Sequence, residues 1–142
     1  MAQPQPFSRL LHLTAHAWRL ALDRRLKGSG LSMSSWMAIA ALANEPEPLA
    51  QKQLAHLLGL EEASLVPLID RLVKNEWVRR VQPADDRRKR LLVLTDAGNL
   101  ACREVKIQAD ALRSELLDDI DPQELAITRR VLQQLLTSLG TV

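Results

Sequence analysis

Arg79-Arg80-Val81-Gln82-Pro83-Ala84-Asp85-Asp86-Arg87-Arg88-Lys89-Arg90-Leu91-Leu92-Val93-Leu94-Thr95 decides how this 142-residue chain is read. Two β-like runs, Val78 to Gln82 and Leu91 to Leu94, flank a tip with Pro83, two aspartates and four consecutive cations. That pattern predicts a β-hairpin with a basic tip, directly after a helical segment of about a dozen residues. A cationic ribbon beside a helix is what a winged helix-turn-helix uses to hold duplex DNA. The helix reads the major groove and the ribbon reaches the backbone or the minor groove.

Charge supports the same reading. Net charge is only +2, but residues 71 to 90 carry eight Lys/Arg against Glu76, Asp85 and Asp86, a local +5. Residues 99 to 142 carry five cations and seven acids, a local −2. Four like charges in a row on a tip repel one another, so a solvated salt-bridged surface explains them poorly and a polyanion explains them well.

Upstream of the hairpin, Gln53-Leu54-Ala55-His56-Leu57-Leu58-Gly59-Leu60 has the form of a helix-turn-helix, with alanine allowing close approach and glycine taking the corner. It predicts a helix over about 50–58, with Leu54, Leu57 and Leu58 inward, and another over about 61–75. Ser32 caps an earlier helix running to about Asn44, with Trp36, Ile39, Ala40 and Ala43 on its inner face. Glu45-Pro46-Glu47-Pro48 breaks the chain.

The ends read as long helices. Residues 7 to 27 show two adjacent apolar stripes, Leu10, Leu13, Ala17, Leu20 and Leu11, Ala15, Trp18, Leu22. Thr95 caps a helix over about 96–118, with Leu100, Val105, Ala109, Leu112 and Leu116 as its apolar positions. Asp121-Pro122-Gln123-Glu124 starts the last helix, which carries Leu125, Leu132, Leu135, Leu136 and Leu139. These faces exceed what a small module covers, which argues for a homodimer.

The fold class expected is therefore mainly α with a small β-hairpin: a winged helix-turn-helix with long terminal dimerisation helices. Residues 1–30 form an N-terminal dimerisation helix, 31–97 the DNA-binding unit and 98–142 the C-terminal dimerisation helices.

Other classes fare worse. One cysteine, Cys102, excludes an internal disulfide and fits a reducing cytosol. No apolar run reaches membrane-helix length, and Met1-Ala2-Gln3-Pro4-Gln5-Pro6 lacks signal-peptide blocks, so a soluble cytoplasmic protein with no membrane partner is expected. His12 and His16 lie four apart, a spacing that can chelate a metal, but no third ligand is evident and no metal or other cofactor is expected. Neither a nucleophile elbow nor a Gly-rich phosphate loop is present, so an enzyme is not expected. The competing class is a winged-helix module that binds an acidic protein partner through the same patch.

These residues resemble the MarR transcriptional regulators, especially their SlyA-type branch. The resemblance runs over nearly the whole chain. It is most specific at Asp86-Arg87-Arg88 through Leu94-Thr95, and continues at Gln53-Leu54-Ala55 with Leu58-Gly59, at Ser64-Leu65-Val66 and at Leu68-Ile69-Asp70-Arg71-Leu72. Trp18-Arg19, Asp23, Arg25-Leu26-Lys27 and Leu31-Ser32 with Trp36 look SlyA-like too.

The resemblance implies a homodimer that binds palindromic promoter DNA as a repressor or anti-silencer. It implies that Arg88 enters the minor groove, that Asp86 orients it, and that Ser64 on the fourth helix contacts bases. With these, Arg71, Arg79, Arg87, Lys89 and Arg90 complete the expected DNA contacts. It also implies a cleft for a small aromatic carboxylate, in which Arg19 pairs the acid, Trp36 stacks the ring and His16 stands beside them. Two departures stand out: Pro67 replaces an arginine common in the recognition helix, with a kink expected there, and Glu61-Glu62 open that helix in place of a small polar cap.

Overall fold

The computed structural model describes residues 3–140; the outer bounds 1 and 142 of the terminal units, and the first two residues of the N-terminal motif, lie outside them. In chain order the elements are α1 (Phe7–Arg25), α2 (Met33–Asn44), β1 (Leu49–Ala50), α3 (Gln51–Leu58), α4 (Glu62–Lys74), β2 (Val78–Val81), β3 (Leu91–Leu94), α5 (Asp96–Leu117) and α6 (Pro122–Leu139). The sheet is antiparallel with order β1-β3-β2, so the hairpin gains a third strand. β1 pairs Leu49 with Leu92 and Ala50 with Leu91.

Local chemistry sets the boundaries. The Ser35 amide donates to the Ser32 hydroxyl at 3.2 Å, and the Met33 amide donates to Asp23 Oδ1 at 2.7 Å, so two orphan donors at the start of α2 are satisfied. Gly59 turns with φ 67°, and Leu60 N–H donates to the Ala55 carbonyl at 2.9 Å, closing α3 with a left-handed cap. α4 closes in the same way, but on Glu76 (φ 63°), with Trp77 N–H reaching the Leu72 carbonyl at 3.0 Å. An L side chain in that conformation costs about 1–2 kcal/mol.

One continuous core runs from Leu22 and Leu26 through Ile39, Leu54, Leu65, Ile69, Leu72, Val78 and Leu92 to Val105 and Leu112. Several expected faces are shifted in phase. On α2 the buried positions are Ser35, Ala38, Ile39 and Leu42, and Ala43 is exposed. On α3 Leu54 and Ala55 are buried, whereas Leu57 is exposed. On α5 Gly98, Ala101, Val105 and Leu112 face inward while Leu100 and Leu116 do not. The reason on α5 is close packing: a Cβ on Gly98 would stand 2.1 Å from the Trp77 carbonyl oxygen, so small residues set the inward face there. α6 buries no residue at all.

The expected caps hold. Thr95 Oγ1 accepts from Gly98 N–H at 3.0 Å and donates to the Glu76 carbonyl at 2.6 Å, and Asp121 accepts from Gln123 N–H at 3.1 Å. Among the described residues no helix is long and apolar enough to cross a membrane.

Candidate nucleic-acid interface

α4 buries Leu65, Leu68, Ile69 and Leu72, so at 100° per residue its opposite ridge runs through Ala63, Pro67, Asp70 and Lys74, with Ser64 and Arg71 on one shoulder. All six of these outward residues are exposed. The helix is continuous from Glu62 to Lys74, with Pro67 inside it. What Pro67 does remove is the amide that would have met the Ala63 carbonyl.

The hairpin tip is braced by its own polar atoms. Asp86 Oδ1 accepts from the backbone N–H of Arg88 at 2.9 Å, and Gln82 Nε2 donates to the Arg87 carbonyl at 3.2 Å. Arg90 Nη1 donates to the carbonyls of Arg87 and Lys89, each at 3.1 Å. Arg90 therefore turns back onto the tip, and Asp86 holds the backbone of Arg88 while leaving its guanidinium free. Arg87, Arg88 and Lys89 are exposed, and neither they nor Arg71 and Arg79 join a salt bridge among the described residues.

Strand alternation separates Arg79 from Arg80. Arg80 lies across to Asp70 of α4 at 2.5 Å and to Gln51 of α3 at 3.3 Å, bracing the hairpin against both helices. Sequence reasoning counted Arg80 in the basic stretch but left it out of the expected DNA contacts, and its bracing role was not foreseen. Ser64, Arg71, Arg79, Arg87, Arg88 and Lys89 thus remain as unpaired polar groups on the outer surfaces of α4 and the hairpin.

A separate cleft of about 380 Å³ opens between α1, α2 and the helix-turn-helix. His12, His16 and Arg19 of α1 line it opposite Met33, Ser34 and Met37 of α2, with Leu58, Leu60 and Leu68 at its floor. His16 Nδ1 accepts from Arg19 Nη2 at 3.1 Å, which puts the proton of a neutral ring on Nε2. The His12 and His16 rings stack, 6.3 Å between centroids and 9° between planes. Trp36 does not line this cleft; it packs half-buried against the core, and Met33 and Met37 hold the wall expected of it. Cys102 is half-buried on α5, where burial pushes its thiol above the ordinary range.

The order of elements, the glycine-cornered helix pair and the basic hairpin define a winged helix-turn-helix. A model of the MarR family matches residues 31–89. The crystal structure of transcriptional regulator PA3341 is 36% identical, with a TM-score of 0.82 over 94% of this chain and 98% of that one. CouR from Rhodococcus jostii RHA1, solved with p-coumaroyl-CoA bound, is 24% identical with a TM-score of 0.82, over 94% of this chain and 95% of that one. S. aureus MepR in complex with DNA is 19% identical with a TM-score of 0.88, over 95% and 99%. The last two show a shared fold. The chain belongs to the MarR family.

Proposed function

We propose that the chain is a DNA-binding transcription regulator, SlyA-like in its behaviour, which grips pseudo-palindromic promoter DNA as a homodimer and acts in the cytoplasm as a repressor or anti-silencer. The observation that carries this reading is the set of exposed cations, without salt-bridge partners among the described residues, at the tip of a hairpin whose strand β2 is tied to α4 through Arg80 and Asp70. Arg88 is the minor-groove residue, Arg71, Arg79, Arg87 and Lys89 meet phosphates, Ser64 contacts bases, and Asp86 and Arg90 shape the tip. A guanidinium fits a narrow, strongly negative groove with little desolvation cost. MepR carries DNA on the same fold.

The pairing surface is apolar. Ile127, Leu132, Leu136 and Leu139 of α6, and Phe7, Leu10 and Leu11 of α1, are exposed. Phe7, Leu10 and Leu11 line an apolar groove with Ile127, Val131 and Leu132. Water is displaced from such faces when a second copy covers them. Residues 1–30 and 98–142 thus serve pairing and 31–97 reads DNA.

The α1–α2 cleft takes a small aromatic carboxylate, with Arg19 and His16 facing the acid and methionines against the ring. CouR holds p-coumaroyl-CoA within this fold.

The test is affinity for random-sequence duplex against salt. Counterion release gives a steep negative log–log slope, about −0.9 per phosphate neutralised. A flat slope, with binding to acidic polypeptides in its place, would reverse the conclusion.

A further inference from the structure

The surface that α4 turns to solvent is chemically odd for a helix that reads polar base edges. Apart from Glu62 at its start and Ser64 on one shoulder, its first two turns present Ala63, Val66 and Pro67, all exposed, with Val66 41% exposed despite its apolar side chain. No cation occurs on the helix before Arg71. Asp70 on the same ridge is already engaged by Arg80. Glu61 and Glu62 at the opening turn repel phosphates, so this end of the helix is poorly suited to lie along a backbone. The phosphate-seeking groups lie instead at its far end and on the hairpin.

Among the base-pair edges in a major groove, one group is apolar: the C5-methyl of thymine. We infer that Ala63, Val66 and Pro67 are specificity-determining residues that read thymine methyl groups, so that the bound half-site is recognised at T·A steps by contact rather than by a guanidinium on guanine. The inference rests on the DNA-binding reading above and deepens it. Pro67 suits the task physically. Its ring adds apolar surface where an arginine would reach for guanine O6 and N7, and its fixed φ keeps that surface in place.

The experiment uses the full-length chain and the duplex it selects from a randomised pool. That duplex is resynthesised with deoxyuridine in place of each thymine in turn, which deletes one methyl and leaves every hydrogen-bonding edge unchanged. Loss of about fourfold in affinity is expected at each contacted thymine, the value for burying one methyl-sized group. Val66→Ala and Pro67→Ala should each shrink the deoxyuridine effect at one position to below about twofold, because the partner surface is already gone. Pro67→Arg should shift the selected base at that position toward guanine. Binding that is unaffected by deoxyuridine at every position would overturn the methyl-reading inference and leave DNA binding intact. A chain that retains no duplex from the pool would overturn both.

Discussion

Removing the Arg88 guanidinium is a clean perturbation because the tip does not depend on it. Asp86 holds the backbone amide of residue 88, and alanine has the same amide, so the turn keeps its bracing hydrogen bond in Arg88→Ala. What is lost is one exposed, unpaired cation per protomer. A hydrogen bond to a charged group is worth about 1.5–3 kcal/mol. In the proposed homodimer on a palindrome, two copies give about 3–6 kcal/mol, on the order of 10²- to 10⁴-fold in affinity. The dependence of log affinity on log salt should become shallower by about 1.8, two contacts at 0.9 each. Fluorescence anisotropy across a salt series measures both quantities, and a thermal melt checks that the fold is unchanged. Arg103→Ala is the control, since Arg103 is also exposed but sits on α5, outside the hairpin and α4. Equal losses in the two variants would refute the assignment of the hairpin as the DNA-contacting wing.

The remaining predictions concern other parts of the molecule. Gly98→Ala should destabilise by about 1–3 kcal/mol, since a Cβ there overlaps the Trp77 carbonyl, although helix propensity alone favours alanine by about 1 kcal/mol; a raised urea midpoint would contradict the packing. Asp70→Asn should tighten binding to random duplex by releasing Arg80 from its ion pair, and weaker binding would show that Arg80 acts as a brace alone. Arg19→Met should abolish any effect of aromatic carboxylates on DNA binding while leaving affinity without ligand unchanged, which a titration with benzoate-type acids measures. Because burial raises the Cys102 thiol above its ordinary range, less reactive thiolate is present at pH 8 to 9 in the folded chain. Iodoacetamide should therefore label Cys102 more slowly in native than in urea-unfolded protein, with the gap narrowing as pH rises past the folded value; equal rates would contradict that burial.

The helix order and the hairpin were legible because their punctuation is chemical: Ser32, Gly59, Thr95 and Asp121 each occupy the cap or corner that their side chains, or lack of one, favour. β1 was not legible. Two residues after Glu45-Pro46-Glu47-Pro48 are too short to show a period, and Leu49-Ala50 becomes a strand only because β3 offers an edge. The phase error on α5 has a packing cause: leucines were taken as its inward face, yet Gly98 and Ala101 face inward, and at Gly98 the Trp77 backbone lies too close for a side chain. Glu76 in a left-handed turn has no signature, since glycine or asparagine would normally mark it. In the candidate interface, the residue types were readable but their pairing was not. Nothing in a run of cations reveals that Arg80 meets Asp70 and Arg90 its own tip, while Arg88 is left free. In the cleft, Trp36 looked like the natural aromatic wall, and the helix rotation that gives this place to Met33 and Met37 is a tertiary outcome.

Thr95 ties the start of α5 to the turn at the end of α4, and the Arg25–Glu115 ion pair ties its other end to α1. With 22 residues at 1.5 Å each, α5 is a rod about 33 Å long, stiff between these two fastenings. Rotating a rod of that length by roughly 5° about one fastening displaces its far end by about 3 Å, so a small tilt at the Glu115 end of α5 is enlarged at the turn where Thr95 meets Glu76.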